Sequence, residues 1–141
     1  MNKRGLMAPA KSFALAAGLA LFGIGAALAQ SSLVSFQGPL ARVITPNGDG
    51  LNDKAFFCFD NPQDSEITGK VFTLAGSQVG SMGRKTVRGA LTGGLSCPAG
   101  TFSQFVTWDG TGNGSRVDSG IYVYRIEVEK EVFTGTLLVV R

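Results

Sequence analysis

From Ala41 to the end of the chain, short apolar stretches alternate with clusters of Gly, Pro, Asn and Asp at roughly ten-residue spacing. No stretch in that region carries the 3.6-residue apolar period of a helix. A chain punctuated this often has no room for long elements, and its apolar residues must be buried by pairing many short strands. The clearest strand is Gly120 to Glu129, where Tyr122, Tyr124, Ile126 and Val128 share one face and Arg125, Glu127 and Glu129 the other. Val132 to Val140 returns beside it after a turn at Lys130-Glu131. Ala41 to Thr45 and Lys54 to Asp60 read as strands, and the run Phe56-Phe57-Cys58-Phe59 indicates burial on both faces. Glu66 to Leu74 turns at Ala75-Gly76 into Ser77 to Met82, a hairpin, and Thr101 to Trp108 alternates again. Gly83 to Gly100, interrupted by Gly89, Gly93 and Gly94, reads as a long loop with one weak strand. The expected fold is all-β, an immunoglobulin-like antiparallel β-sandwich of about seven or eight strands.

The first residues read differently. Lys3, Arg4 and Lys11 precede an apolar run from Ser12 to Leu28, and Ala27-Leu28-Ala29 is a small-x-small cleavage site before Gln30. That is the grammar of a secretory signal peptide. An uncleaved membrane anchor is the alternative, and the polar Gln30-Ser31-Ser32 favours cleavage. The expected organisation is a signal peptide over 1–29, a lead-in over 30–40 and a β-sandwich domain over 41–141. Leu33 to Phe36 within the lead-in is a candidate edge strand, broken by Gly38-Pro39. After cleavage no long apolar stretch is left to span a bilayer. The leader holds three of the 13 basic residues, leaving ten against ten acidic ones. The neutral remainder offers no electrostatic attraction to nucleic acid. It has roughly 110 residues, enough for one domain. Export also permits Cys58 and Cys97 to pair, although two buried free thiols fit the same apolar surroundings.

The densest turn cluster is Thr45-Pro46-Asn47-Gly48-Asp49-Gly50-Leu51-Asn52-Asp53. Its oxygen-bearing side chains recur at alternate positions, as in loops that wrap a calcium ion. On that reading Asn47, Asp49 and Asp53 supply side-chain ligands and Leu51 a carbonyl. The loop lacks the first-position Asp and the twelfth-position Glu of an EF-hand. Read without metal, the same residues brace a turn by Asx hydrogen bonds. Trp108-Asp109-Gly110 ends a strand, with Trp108 expected in the core rather than as a sugar platform. Asp109 caps the following turn, or reaches the Thr45–Asp53 loop if the fold brings the two together. Asn113-Gly114-Ser115 is a formal glycosylation sequon. Catalysis finds little support, because the chain contains no His and its carboxylates are scattered.

Taken in order, these landmarks resemble a known family. Pro46-Asn47-Gly48-Asp49-Gly50-Leu51-Asn52-Asp53, the segment ending at Gly76, Trp108-Asp109-Gly110, and Gly120-Ile121-Tyr122 are similar to the gliding-motility-associated C-terminal domains of bacterial secreted proteins. That group includes the type B sorting domains of type IX secretion, and is related to the immunoglobulin-like domain of the flagellar hook-capping protein. The resemblance covers about residues 41 to 141. It implies a non-enzymatic module in export, surface attachment or assembly, placed in the periplasm, at the outer-membrane surface or outside the cell. Its partners would be secretion or cell-envelope proteins. It departs from the family pattern in lacking a long cargo ahead of the domain. A calcium-stabilised adhesion or assembly module of the hook-cap type is the alternative.

Overall fold

The computed structural model describes residues 34–83, 86–87 and 95–141. The signal peptide expected over 1–29, with its expected cleavage site, and the glycines at 89, 93 and 94 lie outside the described residues. Among the described residues eleven strands run in chain order: β1 Ser35–Pro39, β2 Val43–Ile44, β3 Ala55–Asp60, β4 Ile67–Thr73, β5 Gln78–Ser81, β6 Thr86–Val87, β7 Ser103–Trp108, β8 Thr111–Gly112, β9 Ser115–Arg116, β10 Gly120–Val128 and β11 Glu131–Val139. One sheet has the order β1-β3-β7-β6, the other β2-β11-β10-β4-β5, and β8-β9 forms a small ribbon. In immunoglobulin terms the first sheet has the A-B-E-D order, and β11-β10-β4 is the G-F-C sheet extended by β5. The nine sandwich strands among the described residues slightly exceed the seven or eight expected.

The alternation of β10 translates directly into packing. Tyr122, Tyr124, Ile126 and Val128 are buried. They meet Ile67 and Val71 of β4, Leu137 and Val139 of β11, and Phe57, Phe59 and Val106 of the opposite sheet in one core. Aromatic rings knit the layers: Phe57 lies edge-on to Tyr124 with centroids 4.8 Å apart, and Trp108 is 5.7 Å from Tyr122. Gly135 stands directly opposite Tyr124, and a side chain there would sit within 2.8 Å of several atoms of its ring. The Tyr122 hydroxyl donates to the Asp118 carbonyl at 2.9 Å. This bond to the backbone four residues upstream is the tyrosine corner of immunoglobulin-like sandwiches.

The run Phe56-Phe57-Cys58-Phe59 is buried on both faces for two different reasons. Phe57 and Phe59 enter the sandwich core. Phe56 and Cys58 point to the outer face of their sheet, where Phe56 packs edge-on to Phe105 and Cys58 is bridged to Cys97. The bridged Cα atoms are 5.5 Å apart, within the normal range for a disulfide. The bridge therefore staples the segment before β7 over the outside of β3. It is not the inter-sheet B–F disulfide of antibody domains.

Two local expectations need correction. Gly38-Pro39 does not break the lead-in strand: β1 runs through both residues. A register shift between Phe36 and Gly38 absorbs them, with Gly38 at a φ of 90° that glycine adopts freely. The strand expected over Ala41 to Thr45 shrinks to Val43–Ile44, because Ile44 must turn into the core and buried Pro46 cannot donate to a ladder. That short strand runs parallel to β11. The β10–β11 turn falls at Glu129-Lys130, one residue earlier than expected, with Glu129 at a φ of 54°.

Candidate functional site

One end of the sandwich is built from two loops far apart in sequence. The first is Thr45 to Asp53. Its backbone closes with the Thr45 amide donating to the Asn52 carbonyl at 2.8 Å. The Asn47 side-chain oxygen accepts the Asp49 amide at 2.9 Å, and one Asp49 oxygen accepts the Leu51 amide at 2.8 Å. The other Asp49 oxygen accepts from the Asn47 side-chain amide at 2.9 Å. Asp53 grips the loop with both oxygens, accepting the Gly48 amide at 2.6 Å and the Gly50 amide at 2.7 Å. Those bonds hold its carboxyl below its ordinary value, with the Gly48 and Gly50 amides the main cause and Arg116 adding to them. The amides can converge because Gly48 and Gly50 take φ angles of 87° and 85°. Asn52 is left-handed too, at 54°, a conformation that Asn tolerates.

The four residues read as calcium ligands are therefore together, but their oxygens face inward. Asn47, Asp49 and Asp53 are occupied by N–H groups of the loop itself, and the Leu51 carbonyl accepts the Thr45 hydroxyl at 3.2 Å. A carboxylate has about four lone-pair sites, so these bonds leave acceptor capacity on Asp49 and Asp53. Among the described residues no group of three or more His, Cys, Asp or Glu side chains is placed to hold a metal.

The second loop is Trp108-Asp109-Gly110. Trp108 is buried, and its indole donates to the Thr111 carbonyl at 2.9 Å. One Asp109 oxygen caps the turn, accepting the Thr111 amide at 3.1 Å and its hydroxyl at 2.6 Å. Partial burial pushes the Asp109 carboxyl up, but the Thr111 bonds and nearby Lys54 outweigh it and leave it lowered. Gly110 adopts a φ of 72°, and a β-carbon there would lie 3.0 Å from Pro46 Cγ. So the second turn lies directly against the proline of the first loop. Arg116 completes the junction, its guanidinium donating to the Pro46 carbonyl.

Between the loops lies an open cleft of about 230 Å³, lined in part by Asp53, Lys54, Asp109 and Arg116. Two carboxylates and two cations balance. Asp109 does reach the neighbourhood of the Thr45–Asp53 loop, but its hydrogen bonds go to its own turn. Tyr122 lies under the junction against Trp108, and Gly120 opens β10. Gly76, at a φ of 88°, serves the β4–β5 turn and does not line the cleft. Cys58 and Cys97 belong to the outer face of the other sheet. Arg116 was not legible in the sequence, since a lone Arg between turn residues carries no local signal.

A second polar cluster was also missed. Asn61 and Gln104 are completely buried. The Asn61 amide donates to the Gln104 side-chain oxygen at 2.7 Å and to the Ser65 carbonyl at 2.8 Å, and Gln104 donates to Asp64 at 2.5 Å. The Asn61 oxygen accepts the Ser65 amide at 3.1 Å. This network fixes the β3–β4 connection against β7, a structural use for what reads in sequence as a turn residue and a strand residue. No family model matches the chain, and no curated protein matches its sequence.

Proposed function

We propose that this protein is an exported, non-catalytic immunoglobulin-like module that acts in type IX-type export or cell-surface attachment. The observation that carries the reading is the junction of the two motif loops. Residues 45–53 and 108–110, chosen in sequence as landmarks of the sorting-domain pattern, meet through Pro46, Gly110 and Arg116. Their polar groups are spent on holding backbone in place, which is the work expected of a recognition element presented as a rigid shape. The disulfide is in keeping with an oxidising compartment. The decisive experiment compares hosts with and without the type IX translocon, following the chain by mass spectrometry of surface and periplasmic fractions. Retention in the periplasm of the translocon-deficient host is expected. Unchanged surface delivery there overturns the export role.

The calcium-stabilised adhesion or assembly module draws on the same loop. It requires Asn47, Asp49, Asp53 and the Leu51 carbonyl to offer a cation the acceptor capacity that their hydrogen bonds leave. A calcium-dependent rise in melting temperature would decide in its favour.

A further inference from the structure

The chain contains two Asn-Gly pairs, Asn47-Gly48 and Asn113-Gly114, and the fold treats them oppositely. Such a pair carries its own electrophile and nucleophile: a side-chain amide carbon, followed by a backbone nitrogen that no β-carbon shields. At the first pair both are restrained. Asp49 holds the Asn47 side chain at both ends, accepting from its nitrogen at 2.9 Å and donating its own amide to the oxygen at 2.9 Å. The Gly48 nitrogen donates to the Asp53 carboxylate at 2.6 Å, so an anion on that nitrogen would face a negative charge. At the second pair neither is restrained. Asn113 and Gly114 form the two-residue turn between β8 and β9, with φ angles of 51° and 82°, a turn that Asn-Gly favours. Both residues are exposed, and among the described residues neither the Asn113 side chain nor the Gly114 amide has a hydrogen-bond partner. A β-carbon on Gly114 would meet no atom within 4 Å. The ribbon is only two residue pairs long, so its tip opens at little cost.

We infer that Asn113 is a site of spontaneous modification, at which the chain converts its own side-chain amide to a carboxylate. The Gly114 nitrogen, its proton taken by hydroxide, attacks the Asn113 Cγ. The N–Cγ bond forms, the Cγ–Nδ2 bond breaks, and the amide nitrogen leaves as ammonia with a proton returned by water. Water then opens the five-membered imide at either carbonyl, leaving aspartate or an isoaspartyl link. Water is consumed and ammonia released, with no oxidation or reduction. The isoaspartyl link places an extra methylene in the backbone, which a two-residue turn cannot hold. The new carboxylate also stands beside edge strand β5, because Asn113 borders an open hollow lined by Gln78, Val79, Gly80 and Ser81.

The test incubates the purified chain, expressed in full, at mildly alkaline pH. Peptide mapping with mass spectrometry follows each Asn-Gly pair and separates aspartyl from isoaspartyl products. In the folded protein residue 113 should convert at least about tenfold faster than residue 47, the factor that one charge-assisted hydrogen bond on the Gly48 amide imposes. In strong urea the two pairs should convert at comparable rates, because the reacting atoms are then the same and equally free. An Asn113 that stays an amide in the folded protein overturns the inference, whatever happens at residue 47. Equal rates at the two pairs in the folded protein overturn it as well. A difference that persists undiminished in urea does the same, since flanking sequence and not the fold would then be its cause.

Discussion

Replacing both cysteines with alanine removes a cross-link between positions 39 apart in sequence. In the chain-entropy model, closing such a loop restricts the unfolded chain by about 13 cal/mol/K, or about 4 kcal/mol at room temperature. Native-state losses should be small by comparison. The Cys58 site is fully buried under the stapled segment, and truncation to alanine leaves only a sulfur-sized gap. For a domain of roughly 110 residues, 4 kcal/mol lowers the melting temperature by about 15–30 °C. Total stability for a domain of this size is about 5–15 kcal/mol, so the variant should fold but with little margin. Urea unfolding followed by far-ultraviolet circular dichroism gives the number, and reduction of the wild-type protein should reproduce it. The double variant is preferable to Cys58→Ala alone, which leaves the Cys97 thiol free for intermolecular exchange. A loss below about 1 kcal/mol would refute the reasoning, because it would mean that the unfolded chain already holds residues 58 and 97 near each other.

Gly110→Ala should cost about 1–3 kcal/mol by combining a left-handed backbone with contact against Pro46, read as a lowered urea midpoint. Gln104→Leu should cost about 1–3 kcal/mol by removing the buried acceptor of the Asn61 side-chain amide and the donor to Asp64, whereas a surface Gln78→Leu should be nearly silent. Asp53 has a folded value below its unfolded one, so its contribution is complete above the ordinary carboxylate range and is lost as pH falls through the folded value. Urea midpoints should therefore drop on acidification, and Asp53→Asn should flatten part of that drop while lowering the neutral-pH midpoint. The loop is braced by its own Asx hydrogen bonds without a cation, so millimolar calcium should leave the melting temperature within about 1 °C.

Much of the sandwich was legible because strand alternation is a local property. Tyr122, Tyr124, Ile126 and Val128 occupy one face whatever pairs beside them, and two-residue periodicity states this before any fold exists. The β4–β5 hairpin was legible for the same reason, with Gly76 marking its turn. Legibility failed where a residue's role depends on a distant neighbour. Gly38 and Pro39 look like breakers, and only pairing with β3 shows that a bulge accommodates them. Asn61 and Gln104 look polar and exposed until the fold buries them against each other.

The Thr45–Asp53 loop divides the two kinds of information most sharply. Its Pro, Gly and Asx residues dictated a tight loop with left-handed positions, because those backbone preferences belong to each residue alone. They left open whether the oxygens would meet a cation or amides, since both uses need the same side chains. Tertiary structure decided where the loop sits. Pro46 is pinned by Gly110 and Arg116, whereas the Gly48 and Gly50 amides that Asp53 gathers belong to the loop itself. The contacts that pin Pro46 come from residues more than sixty positions away, and no local pattern encodes a contact of that range.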